Sequence, residues 1–341
     1  MPTFPGRLPD AVALSREAPA LLDFPAVADG LTPALLTRVD RSAYDVLTPA
    51  GPDRVPSVPD ELTVGDWLAL DGDTVAECLP RTSLLVRGDV RGRSRPQPLA
   101  ANVDVVLLCL GLSGPLPLRR LERLLTLAWE SGATPVVVLT KSDLCDDLDA
   151  AIREVRPYAP SCEVVTVSAA HGDVAALAPY ATQTLVLLGA SGAGKSTVVN
   201  ALLGGDVMAT GDIRDVEGKG RHTTTHRELL LLPGGGIIID TPGLRGVALH
   251  AADDGLSLAF SDVEELACAC RFADCAHQTE PGCAINASVA AGDLGQDRVD
   301  SWRKLQRELA FQARRTDARL RSEEAKKWKQ LSKAQRARQP K

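Results

Sequence analysis

The sequence predicts a multidomain α/β protein with a small N-terminal β-barrel, a central doubly wound sheet and a C-terminal helical domain built around a metal. Three observations carry that prediction. Short, partly alternating runs separated by Gly, Pro and Asp fill residues 34–86. Buried-strand runs alternate with helical periodicity over residues 102–250. Four cysteines and a histidine crowd into the sixteen residues from Cys268 to Cys283.

Taken in order, residues 1–33 are rich in Pro, Ala and Asp, lack periodicity and are expected to form a flexible N-terminal arm. They show no basic segment followed by an apolar stretch, as a secretory signal would. The longest apolar runs, such as VDVVLLCLGL, fall short of the ~20 residues a membrane helix needs. A cytoplasmic location and no membrane partner are therefore expected. The runs ALLTRVD, AYDVLTP, RVPSV, TVGDWLAL and TVAECL supply about five barrel strands. Residues 87–101, polar, basic and Pro-containing, read as a flexible linker.

The central domain opens with VDVVLLCLGL, a buried strand. Leu118, Leu121, Leu124, Leu125, Ala128 and Trp129 then recur at helical spacing, with Gly132 as the stop. TPVVVLTKSD is a second strand, DDLDAAIREVRPYA a helix and EVVTVSA a third strand. TLVLLGASGAGKSTVVNALLGG reads as strand, loop and helix; RELLLLP and GGIIIDTPG are two strands joined by a Gly-rich turn. Such a sheet binds ligands at the carboxyl ends of its strands, where every motif of interest falls.

Gly189, Ala190, Ser191, Gly192, Ala193, Gly194, Lys195, Ser196 and Thr197 fit the phosphate-loop pattern G-x-x-x-x-G-K-[ST]. The loop offers backbone N–H groups and a helix N-terminus to phosphates, Lys195 reaches the β- and γ-phosphates, and Ser196 ligates Mg²⁺. In DTPG, Asp240 is placed to hold the magnesium through water and the Gly243 N–H to sense the γ-phosphate. In TKSD, Asp143 can accept from guanine N1–H and the exocyclic amine, a donor pair adenine lacks; Thr140 and Lys141 shape the base pocket. Ser168 and Ala169, at the next strand end, are placed to offer a backbone N–H to guanine O6. The base-reading motifs precede the phosphate loop, the cyclic order of a GTPase opened at another point, so the domain resembles a circularly permuted GTPase. A sheet's contacts do not depend on where its chain ends lie.

Cys270, Cys275, His277 and Cys283 form a Cys3His set suited to a closed tetrahedral structural zinc site, with Cys268 as an alternative ligand. Cys78, Cys109, Cys145 and Cys162 are scattered and read as ordinary thiols. Net charge is −6, but from Trp302 onward fourteen Lys and Arg face four acidic residues, leaving the tail at +10 and the remainder at −16. That asymmetry points to an anionic partner for this tail, residues 302–341.

With barrel, permuted nucleotide fold, GRHTTT (220–225), DTPG and the C-x₄-C-x-H-x₅-C spacing assembled, the chain closely resembles the bacterial ribosome small-subunit-dependent GTPase A family over residues 34–310. The resemblance implies an oligonucleotide-binding (OB)-like β-barrel at 34–86, a circularly permuted P-loop GTPase at 102–250, a zinc-binding helical domain at 251–310 and a basic tail at 311–341. It implies GTP/GDP, Mg²⁺ and one structural Zn²⁺ as bound groups. The small ribosomal subunit and its rRNA are the implied partners of a monomer that hydrolyses GTP during late subunit maturation. Thr140 stands where the family usually has Asn; its hydroxyl is expected to preserve guanine preference. Leu244 replaces the water-orienting Gln of many GTPases, so His222 is expected to orient the attacking water and Thr224 to contact Mg²⁺ and the γ-phosphate, with Thr223 and Thr225 as alternative ligands. Two competing functions, a P-loop kinase or ATPase and a zinc-containing RNA-binding module, predict ATP competition or no turnover.

Overall fold

A computed structural model describes residues 18–58, 61–87, 97–208, 228–240 and 253–316. Five strands, Thr32–Val39 (β1), Ala43–Thr48 (β2), Gly51–Pro56 (β3), Trp67–Asp71 (β4) and Thr74–Cys78 (β5), form an antiparallel sheet in the order β3-β2-β1-β4-β5. β1 shows why the alternation is incomplete in the sequence. Ala34 and Leu36 face an inner cluster with Tyr44, Val46, Val55, Leu68 and Leu70, while Leu35 joins a second core shared with the central domain. Both faces of β1 are buried, so both carry apolar residues.

Two expectations for the flanks change. Leu84–Arg87 (β6) and Gln97–Ala101 (β7) pair as an antiparallel ribbon, so the expected 87–101 linker contains a strand. Its signal is weak because β7 is five residues long and includes Pro98, yet Ala100 and Ala101 are fully buried. The arm expected at 1–33 likewise contains a packed stretch: Phe24 meets Trp67 edge-on at 5.6 Å and Leu22 lies against the core. A single aromatic contact needs no periodicity, which is why composition alone suggested looseness.

The central sheet has the order β10-β9-β8-β11-β13-β12, with Val105–Gly111 (β8), Thr134–Thr140 (β9), Glu163–Val167 (β10), Thr184–Gly189 (β11), Glu228–Leu231 (β12) and Ile237–Asp240 (β13). All pairings are parallel except β12 with β13. Alternate residues of β8 serve opposite faces. Val106, Leu108 and Leu110 pack under Leu118–Glu130 (α1), and Val105, Leu107 and Cys109 pack with Lys195–Leu203 (α3). Leu148–Val155 (α2) is capped by Asp147, whose side chain accepts from the Ala150 N–H at 2.8 Å.

The C-terminal domain comprises Asp253–Ala259 (α4), Ser261–Cys268 (α5), Ala284–Ala291 (α6) and Gln296–Thr316 (α7), so helix continues six residues into the expected tail. It is joined to α1 by polar contacts in a buried seam. Arg298 donates to Glu122 Oε1 at 2.9 Å, to Asp262 Oδ1 at 2.6 Å and to the Ala259 carbonyl at 3.0 Å, with its guanidinium 4.6 Å from the Phe260 ring centre. Farther along α7, Arg123 Nη1 donates to Glu308 Oε1 at 2.8 Å. α4 approaches α1 closely: a Cβ on Gly255 would lie 2.4 Å from the Thr126 carbonyl oxygen.

Candidate nucleotide and metal sites

The phosphate loop leaves β11 at Gly189, with φ at +155° and an imagined Cβ 2.4 Å from the Cys109 carbonyl oxygen. Only glycine lets the loop turn this close to β8. Ser191 and Gly192 are exposed at its tip, and Ser196 and Thr197 stand half-buried on the first turn of α3. Lys195 Nζ lies across the loop, donating to the carbonyls of Gly189 at 3.1 Å and Ala190 at 2.8 Å. An ammonium held over a row of backbone amides at a helix N-terminus is chemically matched to a polyphosphate.

β9 delivers Thr140, Lys141 and Asp143 to the same edge. Buried Thr140 directs its hydroxyl to the Ala193 carbonyl at 2.7 Å, with the Leu110 carbonyl at 3.3 Å. The Thr140 hydroxyl thereby ties the end of β9 directly to the glycine-rich loop after β11. Lys141 takes a left-handed backbone, φ +58°, and its Nζ donates to Ser113 Oγ at 3.2 Å. Ser168, at the end of β10, donates to Asp143 Oδ1 at 2.6 Å. That hydrogen bond is the main reason the Asp143 carboxyl sits below its ordinary pKa; the nearby His171 and Lys141 act in the same direction against desolvation.

Two residues that sequence reasoning missed belong here. Ser113 supports Lys141, and His171 places Nδ1 2.9 Å from Ser168 Oγ. Ser113 lies in a loop and His171 ends a single 3-10 turn, Ala169–His171, neither with a periodic signal; the three-residue offset from Ser168 to His171 in SAAH was the available clue for the second. Asp240 ends β13, at the carboxyl edge of the sheet. His222, Thr224 and Gly243, with Thr223 and Thr225, lie outside the described residues.

The Cys3His set also converges. The ligand atoms of Cys270, Cys275, His277 and Cys283 all lie within 4.8 Å of one another. Cys270 Sγ is 3.4 Å from His277 Nδ1 and accepts from the Ala284 N–H at 3.4 Å, a donor suited to a thiolate. His277 has φ +57°, its carbonyl accepts from Arg303, and its ring lies 5.7 Å from that of Trp302. Cys268 is exposed at the end of α5 and lies outside the cluster. Three thiols and one imidazole at this spacing fit a tetrahedral zinc ion and leave no open position.

Among the described residues, no helix is long and apolar enough to cross a membrane. Comparison with known proteins gives a consistent picture. Residues 78–250 match the family model described as RsgA GTPase. The chain is 50% identical over 318 residues to the small ribosomal subunit biogenesis GTPase RsgA of Streptomyces avermitilis, covering 88% of this chain and 86% of that one. The protein of the same name from Streptomyces coelicolor is 49% identical over 322 residues, with coverage of 89% and 88%. In fold, the chain is similar to the crystal structure of YjeQ from Thermotoga maritima, with a TM-score of 0.60 and 24% identity over 82% of this chain and 98% of that one. YloQ, described as a circularly permuted GTPase, gives a TM-score of 0.57 and 23% identity, covering 84% and 98%. A model matching half the chain and relatives half identical over most of its length agree with the geometry: the chain belongs to the RsgA GTPase family.

Proposed function

We propose that this protein hydrolyses GTP to GDP and phosphate on the small ribosomal subunit, assisting late maturation of that subunit and leaving it after hydrolysis. The observation that carries the nucleotide reading is the 2.7 Å bond from Thr140 to the phosphate-loop carbonyl of Ala193, which joins base recognition and phosphate binding in one edge. The subunit reading rests on the relatives named as small ribosomal subunit biogenesis GTPases.

In this reading Asp143 accepts from the guanine N1–H and amine, Ser168 and Ala169 flank O6, and the amides of residues 189–197 wrap the phosphates. Lys195 moves from its loop carbonyls to the β- and γ-oxygens. Ser196 and Thr224 would hold Mg²⁺, with Asp240 as the supporting carboxylate, and when bound the ion would supply charge neutralisation at the phosphates. The Gly243 N–H marks the γ-phosphate. His222 orients the attacking water, standing in for the amide that Leu244 cannot supply. The zinc site is structural, fixing the 270–283 loop against α7. The protein works as a cytoplasmic monomer whose barrel, zinc domain and basic tail meet rRNA phosphates.

The test is GTP and ATP hydrolysis with and without purified small subunits at fixed magnesium and salt. Selective stimulation of GTP turnover is expected, and the His222→Ala protein should lose that stimulation. GTP turnover indifferent to subunits removes the partner, ATP preference removes the role of Asp143, and undiminished stimulation in His222→Ala removes the catalytic role of that histidine.

A further inference from the structure

We propose that His171 is a positioning residue for guanine recognition, acting through Ser168 on the orientation of the Asp143 carboxylate. The inference rests on the guanine-nucleotide reading of this site and deepens it. Ser168 Oγ lies 2.6 Å from Asp143 Oδ1 and 2.9 Å from His171 Nδ1. A serine hydroxyl carries one proton, and a carboxylate can only accept. The proton therefore goes to Asp143, and His171 must donate from Nδ1 to the Ser168 oxygen. This fixes the tautomer and gives a directed relay: Nδ1–H to Oγ, then Oγ–H to Oδ1. The relay pins one carboxylate oxygen and so fixes the plane in which the pair of oxygens meets the two guanine donors.

The relay is held by backbone independently of the imidazole. Ser168 and Asp173 exchange both backbone bonds, at 3.0 and 3.1 Å, and within that loop the His171 N–H reaches the Ser168 carbonyl at 2.9 Å. Gly172, at φ +74°, closes the turn. The His171 side chain is 69% exposed, so it contributes little packing, and its one described polar role is toward Ser168 and Asp143. Removing the ring should leave the turn in place and release only the relay.

The experiment is calorimetric titration of the full chain with GDP, IDP and ADP in magnesium. IDP keeps N1–H but lacks the exocyclic amine, so the GDP-to-IDP affinity ratio reports the two-donor geometry of Asp143. His171→Ala should weaken GDP by roughly 3- to 10-fold, the worth of one net hydrogen bond, and IDP by less, narrowing the ratio. His171→Asn, whose amide nitrogen is the same number of bonds from the backbone as Nδ1, should restore most of the ratio. Ser168→Ala, which removes both links of the relay, should cost at least as much as His171→Ala, and adding His171→Ala to it should change little. Equal losses for GDP and IDP, an unchanged ratio in His171→Ala, or additive effects of the two substitutions would overturn the proposal. Wild-type protein binding ADP as tightly as GDP would instead overturn the guanine reading beneath it.

Discussion

Replacing Arg298 by Met tests how the GTPase and zinc domains are held together. In the parent, the guanidinium meets Glu122 at 2.9 Å and Asp262 at 2.6 Å, donates to the Ala259 carbonyl at 3.0 Å and covers the Phe260 ring. The Glu122 side chain is 0% exposed, whereas that of Asp262 is 29% exposed and keeps contact with water. Methionine fills most of the volume but strands the Glu122 carboxylate, and removal of one partner from a buried pair costs ~3–5 kcal/mol. For a domain pair of this size that is a fall in unfolding midpoint on the order of 10 °C. The pH dependence identifies the cause. Burial already pushes the Glu122 carboxyl above its ordinary value, against the opposing effects of Ser301 and Arg298. Without Arg298 that elevation grows. A carboxyl raised in the folded state costs stability above its unfolded pKa, and the cost grows until the pH passes the folded value. The deficit of Arg298→Met should therefore shrink as the pH is lowered from 7.5 to 5.5. The added Glu122→Gln substitution should recover much of it at pH 7.5. Urea melts of the three proteins at both pH values measure this. A deficit under ~1 kcal/mol, or one that widens in acid, would refute a dry, charge-stranded seam.

Three further outcomes follow from the site geometry. Gly189→Ala places a methyl 2.4 Å from the Cys109 carbonyl oxygen, and should abolish measurable GDP binding while leaving the barrel and zinc domain folded, checked by titration and circular dichroism. Thr140→Val keeps the shape but removes the hydroxyl that bonds Ala193, so GDP affinity should drop by roughly 3- to 10-fold; unchanged affinity would mean that the tie between base and phosphate loops is dispensable. Elemental analysis should find one zinc per chain in the parent and in Cys268→Ser, and a loss of that zinc with a lowered melting temperature in Cys283→Ser; zinc loss in Cys268→Ser would reassign the ligand set.

The elements legible in the sequence were those whose burial has a period. The leucines of α1 repeat because one stripe meets the sheet, and β8, β9 and β11 are continuous apolar runs because both faces are covered. The phosphate loop and the Cys3His set were legible because their chemistry fixes residue types at fixed offsets. β7 was hidden because Pro98 and a polar neighbourhood mask a five-residue strand. The seam was hidden for a different reason. Glu122 and Arg298 are 176 residues apart, and each reads as an ordinary charge on an amphipathic helix until the fold brings them together. His171 is the same case at short range: the three-residue offset in SAAH permits the contact, but only the turn closed at Gly172 brings the fourth side chain back on the first.

The permutation makes the seam more than a stability feature. Because β13 is the last strand of the nucleotide fold, the chain passes from Asp240 at its ligand edge to α4 at Asp253 through only the twelve residues 241–252. Twelve residues span at most about 40 Å even when fully extended, so the DTPG motif and the zinc domain are on a short leash. The receiving end of that leash is fixed. Gly255 sits against the Thr126 carbonyl, its N–H reaches Glu130 Oε2 at 3.2 Å, and Arg298 clamps the same helix through Glu122. In a GTPase opened at its usual ends, DTPG would lead back into the sheet and its movement could be absorbed there. Here the segment leads into a domain locked to α1, the helix that follows the strand next to the phosphate loop. Arg298→Met should therefore separate two rates, leaving intrinsic GTP hydrolysis near the parent value while reducing its stimulation by small subunits, because the nucleotide edge is intact and only the lock between domains has been opened.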